Sequence, residues 1–405
     1  MQGRGAVGPR LRRGALRRSR RAVHLAAAGQ HAAADARRSP VKTAALFLLL
    51  CLLLGGSAFA VNVSEEQAAA IGTEELRAAL PEEAEELLGD VSLTETLDAD
   101  GVLGRILAWA KEQASEFLRS GVKSAAVILG ILLLCAAAEV FAPESALHYV
   151  EFGGALGIAA AAVEDVRSFI GLGTQTLHSL SDFSKALLPT MAAAATASGA
   201  VTSGAAKYAA TALFFDLLLT AANVVVMPAV YAYLATVVAK AALGNDALSG
   251  VASFLKWLAG TLITLLMLGF TCYLSLTGVI SGKVDAATSR LTKTAISTAL
   301  PVVGGIISDA AGTLVAGAGI LRNSVGVFGL LAVFCVCLSP FLRLGVQYLT
   351  YKAVAGLAGV VSSKRLQGLV SGVGTAYGMV MGLVGAGGLM LFFSIVSSVR
   401  TVTGL

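Results

Sequence analysis

The sequence predicts an all-α polytopic membrane protein, a bundle of about seven to eight transmembrane helices. Apolar runs follow one another from about position 125 onwards. Several of them reach the roughly 20 residues needed to cross about 30 Å of lipid hydrocarbon. Only 14% of the residues are charged and the mean hydropathy is +0.78, whereas soluble domains carry about 25% charged residues. This composition leaves four classes of protein: a channel subunit, a transporter, an intramembrane enzyme or a membrane scaffold.

The first predicted segment, residues 1–40, is strongly basic. It holds ten arginines and one acid, Asp35, so its +9 accounts for the net charge of +5 and leaves the remaining chain at −4. One interpretation is an arginine-rich tail that contacts RNA or lipid headgroups. The other, which we favour, is a non-native leader that lies upstream of a true start at Val41. We therefore expect no nucleic-acid partner.

Residues 41–60 have the pattern of a secretory signal peptide. A basic residue, Lys42, precedes the apolar stretch from Ala44 to Leu54, and the small-residue pattern Ala58-Phe59-Ala60 follows. The apolar stretch is too short to span a bilayer comfortably, so cleavage after Ala60 is preferred to an uncleaved anchor.

Residues 61–122 form the predicted acidic extracytoplasmic region. Positions 61–100 carry twelve acids against one base, Arg77, and acidic segments are translocated more readily than basic ones. Apolar residues at helical spacing in 103–122 predict an amphipathic helix in the membrane interface, with packing on a neighbouring subunit as the alternative. The rest of the chain, 123–405, is the predicted multi-span membrane domain.

Within that domain the apolar runs predict spans at 125–141, 148–164, 186–206, 209–238, 253–280, 301–320, 325–342 and 368–396. The stretch 345–361 contains Gln347 and Lys352 and is predicted to be re-entrant or interfacial. With 61–122 outside, this order of crossings puts Lys364 and Arg365 in the cytoplasm, and Lys240 and Lys256 outside. The excess of basic residues on the cytoplasmic side has the expected sign but is small.

Two predicted spans carry small residues every four positions. Such ridges let helix backbones approach closely, either within the chain or against a partner subunit. Val380 belongs to the last predicted span but lies off its row of small residues, so leucine is expected to be tolerated there. The helix-packing candidates are Gly304, Ser308 and Gly312 on one span, and Gly374, Gly378 and Gly382 on the last.

Three carboxylates fall at predicted membrane depth: Glu139, Asp216 and Asp309. A charge there costs about 2.5–3.5 kcal/mol on insertion scales, so each is a candidate functional residue. Asp216 or Asp309 could be the proton or cation site of a transporter. Alternatively, each carboxylate is hydrogen-bonded to a polar side chain of an adjacent span, or faces water.

The sequence lacks the common catalytic motifs. No Gly-x-x-x-x-Gly-Lys-Ser/Thr phosphate loop and no Gly-x-Ser-x-Gly elbow occur. His148 and His178 stand alone, without His-Glu-x-x-His spacing, so the sequence predicts no zinc site. We expect no enzymatic activity, no cofactor and no metal.

The stretch 283–329 resembles the stage III sporulation protein AE family of endospore-forming Firmicutes. The resemblance rests on Pro301-Val302-Val303-Gly304, on Asp309-Ala310 after a hydrophobic pair, and on an Asn323-x-x-Gly326 turn before the next span. Upstream, Leu187-Leu188-Pro189 before a small-residue span is also similar, as is the order of signal peptide, translocated region and membrane domain.

This resemblance implies a multi-pass protein of the mother-cell membrane that faces the forespore. It would be one subunit of a secretion or feeding channel needed for endospore development, with sister subunits in the same bilayer and a forespore partner. The resemblance implies no catalytic residues. A secondary permease that uses the intramembrane aspartates is the alternative.

Overall fold

The computed structural model describes residues 73–89, 99–197, 204–299 and 304–400, with side chains in 75–89, 104–194, 208–277 and 325–397. None of these residues lies in a β-strand. The predicted all-α polytopic fold class is therefore confirmed. The α-helices in the described ranges are α1 (Thr73–Ala78), α2 (Glu82–Leu88), α3 (Ala99–Phe141), α4 (Leu147–Ala197), α5 (Gly204–Ala221), α6 (Met227–Leu243), α7 (Ala247–Ala299), α8 (Gly304–Val361) and α9 (Lys364–Arg400).

Within the described ranges, six helical segments are long and apolar enough to cross a membrane. They are α3, α4, the segment formed by α5 and α6 together, α7, α8 and α9. The sequence predicted seven to eight spans, because it separated segments that the structure joins. Predicted span 148–164 and the first part of predicted span 186–206 both fall on α4, which has 51 residues. The polar stretch between them contains Leu177, Leu180 and Phe183, all fully buried at helical spacing. Packing of this apolar stripe against the bundle keeps the helix continuous where hydropathy alone indicates a loop.

Helix α8 joins two further predicted spans and the segment 345–361. This segment is neither re-entrant nor separate, because Tyr351, Val354 and Ala358 are buried along one continuous helix. The helix also runs through Asn323 and Gly326, where the sequence indicated a turn. The predicted interfacial helix 103–122 likewise continues into the first predicted span as α3.

Joining spans changes which turns share an end of the bundle. A continuous helix crosses a bilayer at most once, so the union of two predicted spans in α4 removes one crossing. The turn after α6 therefore lies on the opposite side of the membrane from the side that was predicted. The union in α8 removes a second crossing, so the turn after α8 stays on its predicted side. Lys240, Lys256, Lys364 and Arg365 therefore line one cavity at the same end of the bundle. The prediction that separated the first two from the last two is wrong.

The rod formed by α5 and α6 contains a proline near its middle. Residues Ala222–Val226 adopt a π-helical turn immediately before Met227 and Pro228. Proline has no N–H to bond the carbonyl four residues earlier, and its ring clashes with that carbonyl. The wider π turn accommodates this mismatch, so the helix continues beyond Pro228 instead of ending there.

Helix α9 is the central helix of the bundle. Of the residues in its most apolar 18-residue stretch, 83% are buried, compared with 11% in the corresponding stretch of α7. No charged residue occurs between Arg365 and Arg400, so this helix can be enclosed without burying an unpaired charge. It packs against α8 over the longest contact and also against α4, α6 and α7.

Candidate functional sites on the helix bundle

The first candidate site is a charged cluster between α4 and α5. The Lys185 ammonium lies 3.0 Å from Oδ1 of Asp216 and 3.7 Å from Oδ1 of Asp182. The hydroxyl of Ser181 donates a hydrogen bond of 2.5 Å to the same oxygen of Asp216. Asp216 is thus bound to both a serine and a lysine of the adjacent helix.

This cluster faces outwards from the chain. The side chains of Lys185, Asp216 and Asp182 are 54%, 40% and 69% exposed. On either side of Asp216, the large apolar side chains of Leu213 and Leu217 are also exposed. The sequence identified Asp216 as a membrane-depth carboxylate, but Lys185 is 31 positions away in the chain and no local pattern paired the two.

A second polar site lies where α4, α8 and α9 meet. The Tyr351 hydroxyl donates a hydrogen bond of 2.9 Å to Oδ2 of Asp165, and the Tyr377 hydroxyl donates one of 3.3 Å to the Asp165 carbonyl oxygen. Both tyrosines are fully buried, and the Tyr377 ring lies 4.0 Å from that of Phe169. This site could not be recognised in the sequence, because Asp165 falls between two predicted spans and was assigned to a loop. It links three helices and is best explained as a structural contact.

The predicted glycine ridge of α9 has different surroundings along its length. A Cβ atom at Gly374 would lie 3.1 Å from Cβ of Tyr351 and 3.6 Å from the backbone nitrogen of Lys352. Gly378 is buried, whereas a Cβ at Gly382 would meet no neighbour within 4 Å. Close backbone approach to α8 is therefore seen at Gly374, and Gly382 lies beside open space.

Val380 does not have the surroundings that its position off the ridge suggested. Its side chain is fully buried, and a Cβ at Gly173 of α4 would lie 2.4 Å from it. A larger side chain at Val380 would crowd α4, so the expectation that leucine is tolerated there does not fit the structure.

Of the remaining predicted site residues, Glu139 has a described side chain, and it is not part of the clusters above. Glu139 lies near the end of α3, and its Oε1 atom is buried with no hydrogen-bond partner among the described residues. Within the described ranges, no group of three or more His, Cys, Asp or Glu residues is arranged to hold a metal. The other candidates lie on the first turns of α8, where side chains fall outside the described residues: Gly304, Ser308, Asp309 and Gly312.

Comparison with known proteins gives one family. The family model described as "Stage III sporulation protein AE" matches residues 87–401. The stage III sporulation protein AE of Bacillus subtilis (strain 168) is 21% identical over 188 residues, which is 46% of this chain and 47% of that protein. The match thus spans about half the length of this relative. No solved structure matches the chain.

Proposed function

The chain belongs to the stage III sporulation protein AE family, and from this premise we propose that it is a membrane subunit of a multiprotein channel between mother cell and forespore. The family has a role in sporulation, and six helical segments of the described chain are long and apolar enough to cross a membrane. The proposal adds the mother-cell side of the membrane, the extracytoplasmic position of 61–122, the channel, and contact with sister subunits and a forespore partner.

The observation that carries the proposal is the outward-facing pair of Lys185 and Asp216. Charged groups that face lipid hydrocarbon are costly, and membrane proteins turn them towards the bundle interior, a water-filled cavity or a partner. In this chain the pair lies on the outside of the single bundle, on rods otherwise rich in exposed leucine and valine. A sister subunit or a shared aqueous lumen would remove this cost. The described part of the chain leaves both side chains partly exposed.

The same geometry disfavours the permease alternative for Asp216. In secondary transporters the coupling carboxylate lies inside the protein, near the midplane, where broken helices meet. Asp216 instead lies on an outer face and is already neutralised by Lys185. Asp309 has no described side chain, so the alternative is addressed by experiment at both positions.

The contact with a sister subunit is tested by photo-crosslinking from Leu217 in sporulating cells. Leu217 lies next to Asp216 and is 61% exposed. Leu357 on α8 is 55% exposed and serves as the control, because the charged pair belongs to α4 and α5. We expect the Leu217 probe to crosslink to another membrane protein, identified by mass spectrometry. Adducts with lipid alone at Leu217 would contradict the subunit proposal.

The permease alternative is tested by replacing both aspartates with asparagine and counting heat-resistant spores. Asparagine at position 216 keeps an oxygen that can accept the Ser181 hydrogen bond, but it cannot exchange a proton. The channel-subunit proposal expects nearly normal spore counts from the Asp216→Asn, Asp309→Asn protein. Loss of spores at an unchanged level of membrane-inserted protein, with the Leu217 crosslink retained, would favour ion-coupled transport.

A further inference from the structure

A cationic cavity lies between α6, α7 and α9, at the end of the bundle that holds the α6–α7 and α8–α9 turns. Its volume is about 290 Å³, close to the lower limit of about 300 Å³ for small-ligand sites. Four of the residues that line it are basic, Lys240, Lys256, Lys364 and Arg365, and none is acidic.

The described residues neutralise little of this positive charge. Arg365 lies 2.8 Å from Oε2 of Glu151, and the Lys240 ammonium donates a hydrogen bond of 3.1 Å to the Ser249 hydroxyl. In the part of the chain that the structure describes, Lys240, Lys256 and Lys364 form no ion pair with a carboxylate. The cavity therefore has an excess of about three positive charges, which attract an anion.

Hydroxyl groups on the cavity wall add hydrogen-bond donors. The Lys352 ammonium, behind the wall, donates to the hydroxyl oxygens of Ser371 at 3.3 Å and Thr375 at 3.1 Å. Because Ser371 accepts a bond from Lys352, its own hydrogen remains available for a ligand. Ser253 provides another hydroxyl on the lining.

The helix directions also favour an anion. Both α7 and α9 begin at this end of the bundle, and residues of their first turns, such as Ser249 and Lys364, line the cavity. A helix N-terminus carries a partial positive charge of about half an elementary charge. Together with the lysines and Arg365, the two N-termini surround one partly open cavity with cations and hydrogen-bond donors.

We propose that this cavity binds a phosphate group. Lysine, arginine and hydroxyl donors are the groups that proteins use to hold phosphate oxygens, and a cavity of this size holds one such group with its substituent. The phosphate can belong to an anionic phospholipid headgroup, since basic pockets between transmembrane helices hold such headgroups, or to a soluble phosphorylated molecule. The inference is independent of the proposed channel, because it concerns a site within one chain.

Gly368 provides a way to fill the cavity without removing charge. This glycine lines the space, and a Cβ atom there would meet no neighbour within 4 Å. Methionine at position 368 would therefore extend into the cavity. The change should not weaken the helix, because glycine costs about 1 kcal/mol relative to better helix formers.

The test uses the purified full chain in a neutral detergent and measures its melting temperature on titration with three probes. These are short-chain phosphatidylglycerol, inorganic phosphate, and phosphatidylcholine of equal chain length as the zwitterionic reference. Stabilisation by phosphatidylglycerol alone supports a lipid headgroup as the ligand, and stabilisation by inorganic phosphate supports a soluble one. If neither probe stabilises the protein more than phosphatidylcholine does, the proposal is overturned.

Two variants localise the effect to the cavity. The double variant Lys256→Gln, Lys364→Gln should weaken the apparent affinity about tenfold or more, the usual effect of losing a charge-assisted hydrogen bond. Gly368→Met should also weaken it, because its side chain competes with the ligand for space. The control removes two exposed lysines of α3, Lys111→Gln and Lys123→Gln, and should leave the affinity unchanged. Equal losses in the control and the cavity variants would show unspecific surface attraction and refute a cavity site.

Discussion

Replacing Gly374 with leucine should separate α9 from α8 and destabilise the bundle. A Cβ atom at this position would lie 3.1 Å from Cβ of Tyr351 and 3.6 Å from the backbone nitrogen of Lys352. Tyr351 is fully buried, and a backbone atom cannot rotate away as the end of a side chain can. The further carbons of leucine therefore have no space unless the helices move apart.

The magnitude follows from two opposing terms. Leucine gains up to about 1 kcal/mol over glycine in helix propensity. Overpacking a tight contact costs about 1–3 kcal/mol, occasionally more, and the rigid neighbours at Gly374 place this substitution at the upper end. We expect a net loss of about 2 kcal/mol for Gly374→Leu. Gly382→Leu gains the propensity term without the clash, since a Cβ there meets no neighbour.

The assay compares the melting temperatures of the two purified variants in detergent with that of the parent protein. A difference of about 3 kcal/mol between them corresponds to roughly 4 °C, because the unfolding entropy of about 2.1 cal/mol/K per residue is summed over a chain of 405 residues. Equal melting temperatures for Gly374→Leu and Gly382→Leu would refute the close-approach argument. If Gly382→Leu is stable but fails to form spores, that part of the ridge faces a partner subunit.

Two further predictions concern a buried hydrogen bond and the N-terminus. Tyr351→Phe removes the hydroxyl that donates to the Asp165 carboxylate and should cost about 1.5–3 kcal/mol, the usual range for a bond to a charged group. Tyr377→Phe loses a longer bond to a carbonyl oxygen and should cost about 0.5–1.5 kcal/mol, so thermal unfolding that shows the reverse order would contradict the assignment. Mass spectrometry of the protein from its native host should find a mature N-terminus at Val61 after a start at Val41. Peptides from residues 1–38 would contradict the start, and an intact 44–60 segment would contradict cleavage.

The sequence by itself determined the fold class and the family. Hydropathy measures the free energy of transferring each segment into lipid, which is a local property. By this measure the runs of uncharged residues in α7 and α9 are clear membrane-spanning candidates. The family resemblance rested on short local motifs around 283–329, and the family match over 87–401 confirmed it. The carboxylate Asp216 was also visible as a candidate, because a charge inside an apolar run can be noticed without knowledge of its partner.

Only the tertiary structure decided where helices end and which polar groups meet. Leu177 and Leu180 keep α4 helical through a polar stretch because they pack against the bundle, and this packing depends on residues far away in the chain. The pairing of Asp216 with Lys185 depends on the same long-range contacts, as does the gathering of basic residues at one cavity. Each span can be recognised alone, since lipid acts on every segment separately. The continuity of a helix and the partners of its polar side chains cannot be recognised from one segment. They depend on the free energy of packing the whole bundle.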